Sequence, residues 1–178
     1  MALSDCSIIR DEILDCADNR GGIKEVLVIE FENVPQANIT SASGTVTVLN
    51  QTSGTKFVII GLDEGVAELT EAENRSVENG TLFYETTLNL FIKKLSAASR
   101  NNLNKMAQNR LMIVIRDAND TYWLMGQTRA AYKTGTNEAK TGKAMGDANG
   151  YNVTFMAREP EPLNVVASDQ IAGLTNLA

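Results

Sequence analysis

The residues of this chain best placed to do chemistry lie in Gly135-Thr-Asn-Glu-Ala-Lys-Thr-Gly-Lys-Ala144, a run with the outward character of a phosphate loop. A phosphate-binding loop of that type sets four residues between its glycines and follows its Lys with Ser or Thr, which reaches magnesium. Here six residues separate Gly135 from Gly142 and Ala144 follows Lys143, so a surface loop is expected rather than a nucleotide site. Asp147-Ala-Asn-Gly150 echoes a calcium loop, but its acids are incompletely spaced and Arg158 stands where the bidentate Glu belongs. It reads as a tight turn in which Gly150 is free to take positive φ. Asp117-Ala-Asn-Asp120 reads likewise as a hairpin turn, not as a carboxylate pair for acid/base work. His is absent and Cys6 and Cys16 are the only cysteines, which removes the commonest general base and cannot complete a four-ligand zinc site. No catalytic residue, cofactor site or metal site is expected.

Composition points the same way. The net charge of −6 argues against tight general nucleic-acid binding, which is built from clustered Lys and Arg. An acidic surface can still line a passage along which a polyanion slides without sticking. Met1-Ala-Leu-Ser-Asp-Cys6 lacks the basic start and apolar run of a secretory signal, and no window approaches the ~18 apolar residues of a membrane span. The expectation is a chain made in the cytosol with no membrane partner, its two thiols mostly reduced.

These stretches must be carried by sheet. The fold expected is α+β, mainly β: an antiparallel β-sandwich or partial barrel of about seven strands with one flanking helix. Residues 1–22 form an N-terminal arm, in which Ile8, Ile9, Ile13 and Leu14 can share a helical face. A β-rich domain follows over 23–158, and 159–178 is a C-terminal tail opened by Glu159-Pro-Glu-Pro162. Strands are expected at Lys24–Glu32, at Thr45–Leu49 and Lys56–Ile60 as a hairpin around Asn50–Gly54, and at Thr81–Lys93. Further strands are expected at Leu111–Arg116, at Thr121–Tyr132 and after Gly146. In Thr81–Lys93 the alternation places Leu82, Tyr84, Thr86, Leu88, Leu90 and Ile92 on one face and Phe83, Glu85, Thr87, Asn89, Phe91 and Lys93 on the other. Ser96 can cap a helix over about 96–109, with Leu103, Met106 and Ala107 as its apolar stripe. Tyr122 and Trp123 are adjacent, so they must face opposite sides of their strand. The tail is apolar enough to require cover, from its own domain or from a neighbour.

Two charged segments stand out. In 62–81 the acids Asp63, Glu64, Glu68, Glu71, Glu73 and Glu78 face one base, Arg75, and a solvated loop or short helix is expected there. In 133–143 Lys133, Lys140 and Lys143 face Glu138 alone.

Tyr122-Trp-Leu-Met-Gly126, Gly146-Asp-Ala-Asn-Gly-Tyr-Asn-Val-Thr-Phe155 and Glu159-Pro160 together resemble virion structural proteins of tailed phages, above all tail tube proteins from phages and prophages of Bacteroidetes-type hosts. Cys16-Ala-Asp-Asn-Arg-Gly-Gly-Ile-Lys-Glu-Val26 resembles the opening of the same group. The resemblance implies a virion protein, not an enzyme, assembled in the host cytoplasm. Its subunits join edge to edge into hexameric rings that stack into a tube, and the tube conducts DNA during ejection. The implied partners are copies of itself, other tail proteins (terminator, baseplate or hub, a sheath in some tails) and DNA held only transiently in the lumen. The alternative is a head–tail connector ring or capsid accessory protein. On this view Asp63, Glu64, Glu68, Glu71 and Glu73 on one rim would meet Lys133, Lys140 and Lys143 on the other across stacked rings. Glu85 and Asn89, on the less apolar face of the longest strand, are the lumen candidates.

Overall fold

The computed structural model describes residues 20–174, so the expected helical face of the arm and both thiols lie outside the described residues. The chain is mainly β. Its strands are β1 (Ile23–Glu30), β2 (Ile39–Ala42), β3 (Thr45–Leu49), β4 (Val58–Gly61), β5 (Ala67–Ser76), β6 (Thr81–Lys93), β7 (Leu111–Asp117), β8 (Tyr122–Met125), β9 (Ala131–Lys140), β10 (Gly150–Glu159) and β11 (Asn164–Val166). Helix α1 (Ala97–Gln108) separates β6 from β7, and a short helix, α2 (Ser168–Ile171), follows β11. Eleven strands replace the seven expected, and all belong to one sheet rather than to two separate ones. The sheet is mixed, since β11 runs parallel to β3 while the other pairings are antiparallel.

β1 and β7 organise the interior. Their runs of Val, Ile, Leu and Met are buried without a break, Val26–Ile29 on one strand and Leu111–Ile115 on the other. Continuous burial means that both faces are covered, and period-two alternation assigns each side chain to one of two cores. Val26, Val28, Ile113 and Ile115 enter the first, closed by Leu88 and Leu90 of β6, Val153 and Phe155 of β10, and Leu103 of α1. Leu27, Ile29, Met112 and Val114 enter the second, closed by Val46, Leu49, Phe57, Val166 and Leu174. Trp123 packs on the first core and Tyr122 on the second, on opposite sides as alternation requires. The tail covers its own domain: β11 lies between β3 and β8, and Leu174 is buried with its carbonyl accepting from Phe57 N.

Several local expectations are corrected. Asn50–Gly54 does not make a hairpin: β3 pairs with β2 and β11, whereas β4 pairs with β1. Segment 62–81 is neither loop nor helix but the turn and edge strand β5, joined to β6 over ten register pairs from Ala67↔Leu90 to Ser76↔Thr81. The strand expected over 121–132 breaks after Met125 and restarts at Ala131, with Gly126 and Ala130 both at positive φ. Gly126 is required there, because a Cβ would sit 2.5 Å from Ala131 N. Strand β9 then runs on to Lys140, through most of the expected Gly/Lys/Thr loop. Gly150 does not take positive φ; it begins β10, and a Cβ there would lie 2.2 Å from the Ile92 carbonyl oxygen. Helix α1 forms as expected under a Ser96 cap, whose Oγ accepts from Ser99 N at 3.1 Å, but its buried stripe narrows to Leu103 with Met106 half-buried. No helix among the described residues is long and apolar enough to cross a membrane.

A polar sheet face as the candidate functional surface

Four neighbouring strands, in the order β9-β10-β6-β5, present a face that takes no part in either core. Register and alternation set its rows: Glu138, Asn152 and Phe91; then Thr134, Thr154, Asn89 and Glu68; then Tyr132, Met156, Thr87 and Thr70; then Arg158, Glu85 and Ala72. Both lumen candidates lie here. Glu85 accepts from Arg158 Nε at 2.6 Å, and Asn89 Oδ1 accepts from Thr154 Oγ1 at 2.9 Å. The β9–β10 ladder is irregular between Asn152 and Thr154, where Asn137 Oδ1 accepts from Thr154 N at 2.9 Å. With the end row of Lys140 and Lys93, three acids stand against three bases. Such a face is wet and electrostatically balanced, without the clustered cations that hold phosphates.

The rim candidates do not form two opposed groups. The register Lys140↔Gly150↔Lys93 puts the 141–149 loop at the same end of the four strands as the turn before Ala67. Asp63 and Glu64 therefore share an end with Lys140 and Lys143, and Asp63 is paired with Lys93. Glu68 lies mid-strand opposite Asn89; Glu71 and Glu73 lie toward the far end, opposite Thr86 and Tyr84. Glu71 is engaged within the chain, since its Oε2 accepts from Leu163 N at 2.8 Å. Lys133 departs furthest from expectation. It pairs with Phe155, on the core side of β9, and is half-buried beside α1 rather than on a rim. Burial holds its pKa below the usual lysine range.

The two ends differ in character. At one, the 141–149 loop is tied by Asp147, whose Oδ2 accepts from Lys143 N at 2.7 Å and Ala144 N at 2.8 Å. Those bonds hold the Asp147 carboxyl below its ordinary range and leave Met145 fully exposed at the tip. At the other end, β5 and β6 run past Tyr84, the last partner of β10, and their projecting tip exposes Val77, Leu82 and Phe83. Sequence reading missed these apolar tips. The available signal was the length of the alternating 81–93 run, longer than its neighbours and so bound to overhang.

No family model matches the chain, and neither a curated relative nor a solved structure does.

Proposed function

We propose that this chain is a ring-forming structural protein of the phage tail tube class, whose rings stack into a tube that passes DNA without gripping it. The observation that carries the reading is the pair of unpaired edges bounding the polar face. Among the described residues β5 has no neighbour beyond β6 along its ten residues, and the outer side of β9 pairs only once, Ala131 with Leu111. Long open edges are a hazard to an isolated molecule, and charge on them discourages random pairing. Here β5 carries Glu68, Glu71 and Glu73 against Arg75, whereas β9 carries Lys133 and Lys140 against Glu138. Edges of unlike charge favour pairing of one copy's β5 with the next copy's β9, a head-to-tail contact that closes into a ring. The polar face then becomes the wall of the ring, and Glu85 and Asn89 its lumen-facing residues. Stacking would use the two unlike ends, the Lys140–Lys143 loop with Met145 meeting the Val77–Phe83 tip. Tail completion, baseplate and sheath proteins would meet the same ends.

Negative-stain electron microscopy of the purified chain across a concentration and salt series is the test. Hollow stacked tubes are the expected outcome. Closed rings that never stack would move the assignment to a connector or capsid accessory protein, and a monomer at every concentration would overturn it.

A further inference from the structure

The dipeptide Asn-Gly occurs twice in the chain, as Asn79-Gly80 and Asn149-Gly150. This pair is open to attack by the backbone on its own side chain, because Gly has no Cβ to shield its nitrogen and turns freely about φ and ψ. The reaction asks two things of the fold. The Gly N–H must be free of a ladder bond, and the Asn carboxamide must be able to swing over that nitrogen. The two copies meet these needs very differently.

Asn149-Gly150 is locked. Asn149 Oδ1 accepts from Leu95 N at 3.1 Å, and its backbone carbonyl accepts from Lys94 N at 2.8 Å. Gly150 is buried at the start of β10, set between Lys93 and Lys140, with the Ile92 carbonyl oxygen 2.2 Å from where a Cβ would stand. Asn79-Gly80 is open. Pairing of β5 with β6 ends at Ser76↔Thr81, and residues 77–80 form an exposed turn between them. Gly80 sits at φ 61°, and its N–H donates to no group among the described residues. The Asn79 carboxamide is likewise without a partner among them; only Asn79 N is tied, donating to Ser76 Oγ at 3.4 Å.

We propose that Asn79 is a self-modification site, converted without an enzyme through a cyclic imide. Gly80 N gives its proton to hydroxide and attacks Asn79 Cγ; the new C–N bond closes the imide, and Nδ2 takes a proton from water and leaves as ammonia. Water then opens the ring at either carbonyl, giving aspartate or, when the other bond breaks, isoaspartate. Overall a water enters and an ammonia departs, with no oxidant or reductant. Either product adds a carboxylate beside Glu78, on the tip that exposes Val77, Leu82 and Phe83. An ageing chain therefore carries a more acidic tip, whatever it assembles into.

Peptide mapping of the full chain by mass spectrometry, over a time course in mildly alkaline ¹⁸O-labelled water, with and without urea, tests this. In the folded chain Asn79 should convert roughly tenfold or more faster than Asn149, which must wait for local opening of the sheet. The product peptides should carry the oxygen label, and electron-transfer fragmentation should find isoaspartate among them. In urea the two rates should converge. Asn79→Gln, whose longer side chain closes the ring far less readily, should stop the change at the tip and leave that at Asn149 unaltered. Equal rates at the two sites in the folded chain, a faster Asn149, or no conversion of Asn79 while the urea sample converts would overturn the assignment.

Discussion

β7 and β5 are both regular strands, and they meet opposite surroundings. Every residue from Leu111 to Ile115 is buried, whereas no residue of β5 is. β7 has a strand on each side and a core on each face; β5 has one neighbour, β6, and a charged outer edge. The difference separates two uses of the same backbone. Apolar burial at ~25 cal/mol per Å² concentrates stability in the β1–β7 centre, while the β5–β6 ladder holds a shape that costs little to alter and is free to meet another molecule.

The largest test of that contrast compares Ile113→Ala with Thr70→Ala. Ile113 has no exposed surface, and its truncation should cost about 2–5 kcal/mol; Thr70 is exposed on β5, and its loss should stay within roughly 0.5 kcal/mol. Urea denaturation reads both, and comparable losses would end the comparison. Next in size is Gly150→Ala, whose Cβ would meet backbone 2.2 Å away at the β6–β10 junction. Overpacking there should cost about 1–3 kcal/mol, which would show that the ladder beside the polar face is tightly fitted even though its outer surface is not.

Lys140→Glu with Lys143→Glu should leave stability within roughly 0.5 kcal/mol yet slow tube growth and make it more salt-sensitive, as followed by light scattering. Normal growth of that double variant would remove the lysine loop from assembly. The smallest effect is expected at Asp120, in the β7–β8 turn. Hydrogen bonds from Lys24 first, and then Arg116, hold its carboxyl below the ordinary carboxylate range. A lowered folded pKa means that the stabilisation is complete above the unfolded value, about 3.9, and is lost as pH falls through the folded one. The melting-temperature gap between the native chain and Asp120→Asn should therefore be full near neutrality and close below about pH 4. Asn tolerates the positive φ of 64° at this position, so the variant isolates charge from backbone strain.

Where local pattern decides structure, the sequence was readable. The alternation of Thr81–Lys93 matches β6 to the residue, and it placed Glu85 and Asn89 together on the polar face. Ser96 and Leu103 announced α1 because a cap and one apolar stripe suffice for a helix lying on a sheet. Pairing partners were not readable, since β3 and β4 look like a hairpin locally and find strands far away in the chain instead. β5 was hidden by its acids, which are rare in strands that carry a buried face but suited to an exposed edge. Lys133 was grouped with Lys140 by composition. Had 131–140 been read as strand, its register with Phe155 against that of Lys140 with Gly150 would have set them on opposite faces.

The place of β11 has a consequence for how the molecule is made. This strand lies between β3 and β8 and is the last strand of the described chain, so β3 cannot be joined to β8 until residues 164–166 have been synthesised, whereas β8 can already pair with β7. Leu174 must follow before the second core is filled. On the ribosome the first core, whose fully buried side chains are all present by Ala157, can condense early. The second is completed only by segments separated by more than a hundred residues, the kind of distant contact that slows folding. Synthesis and ripening to full order are thereby staggered, and a nascent chain stalled before residue 164 would leave β3 and β8 without the strand that joins them.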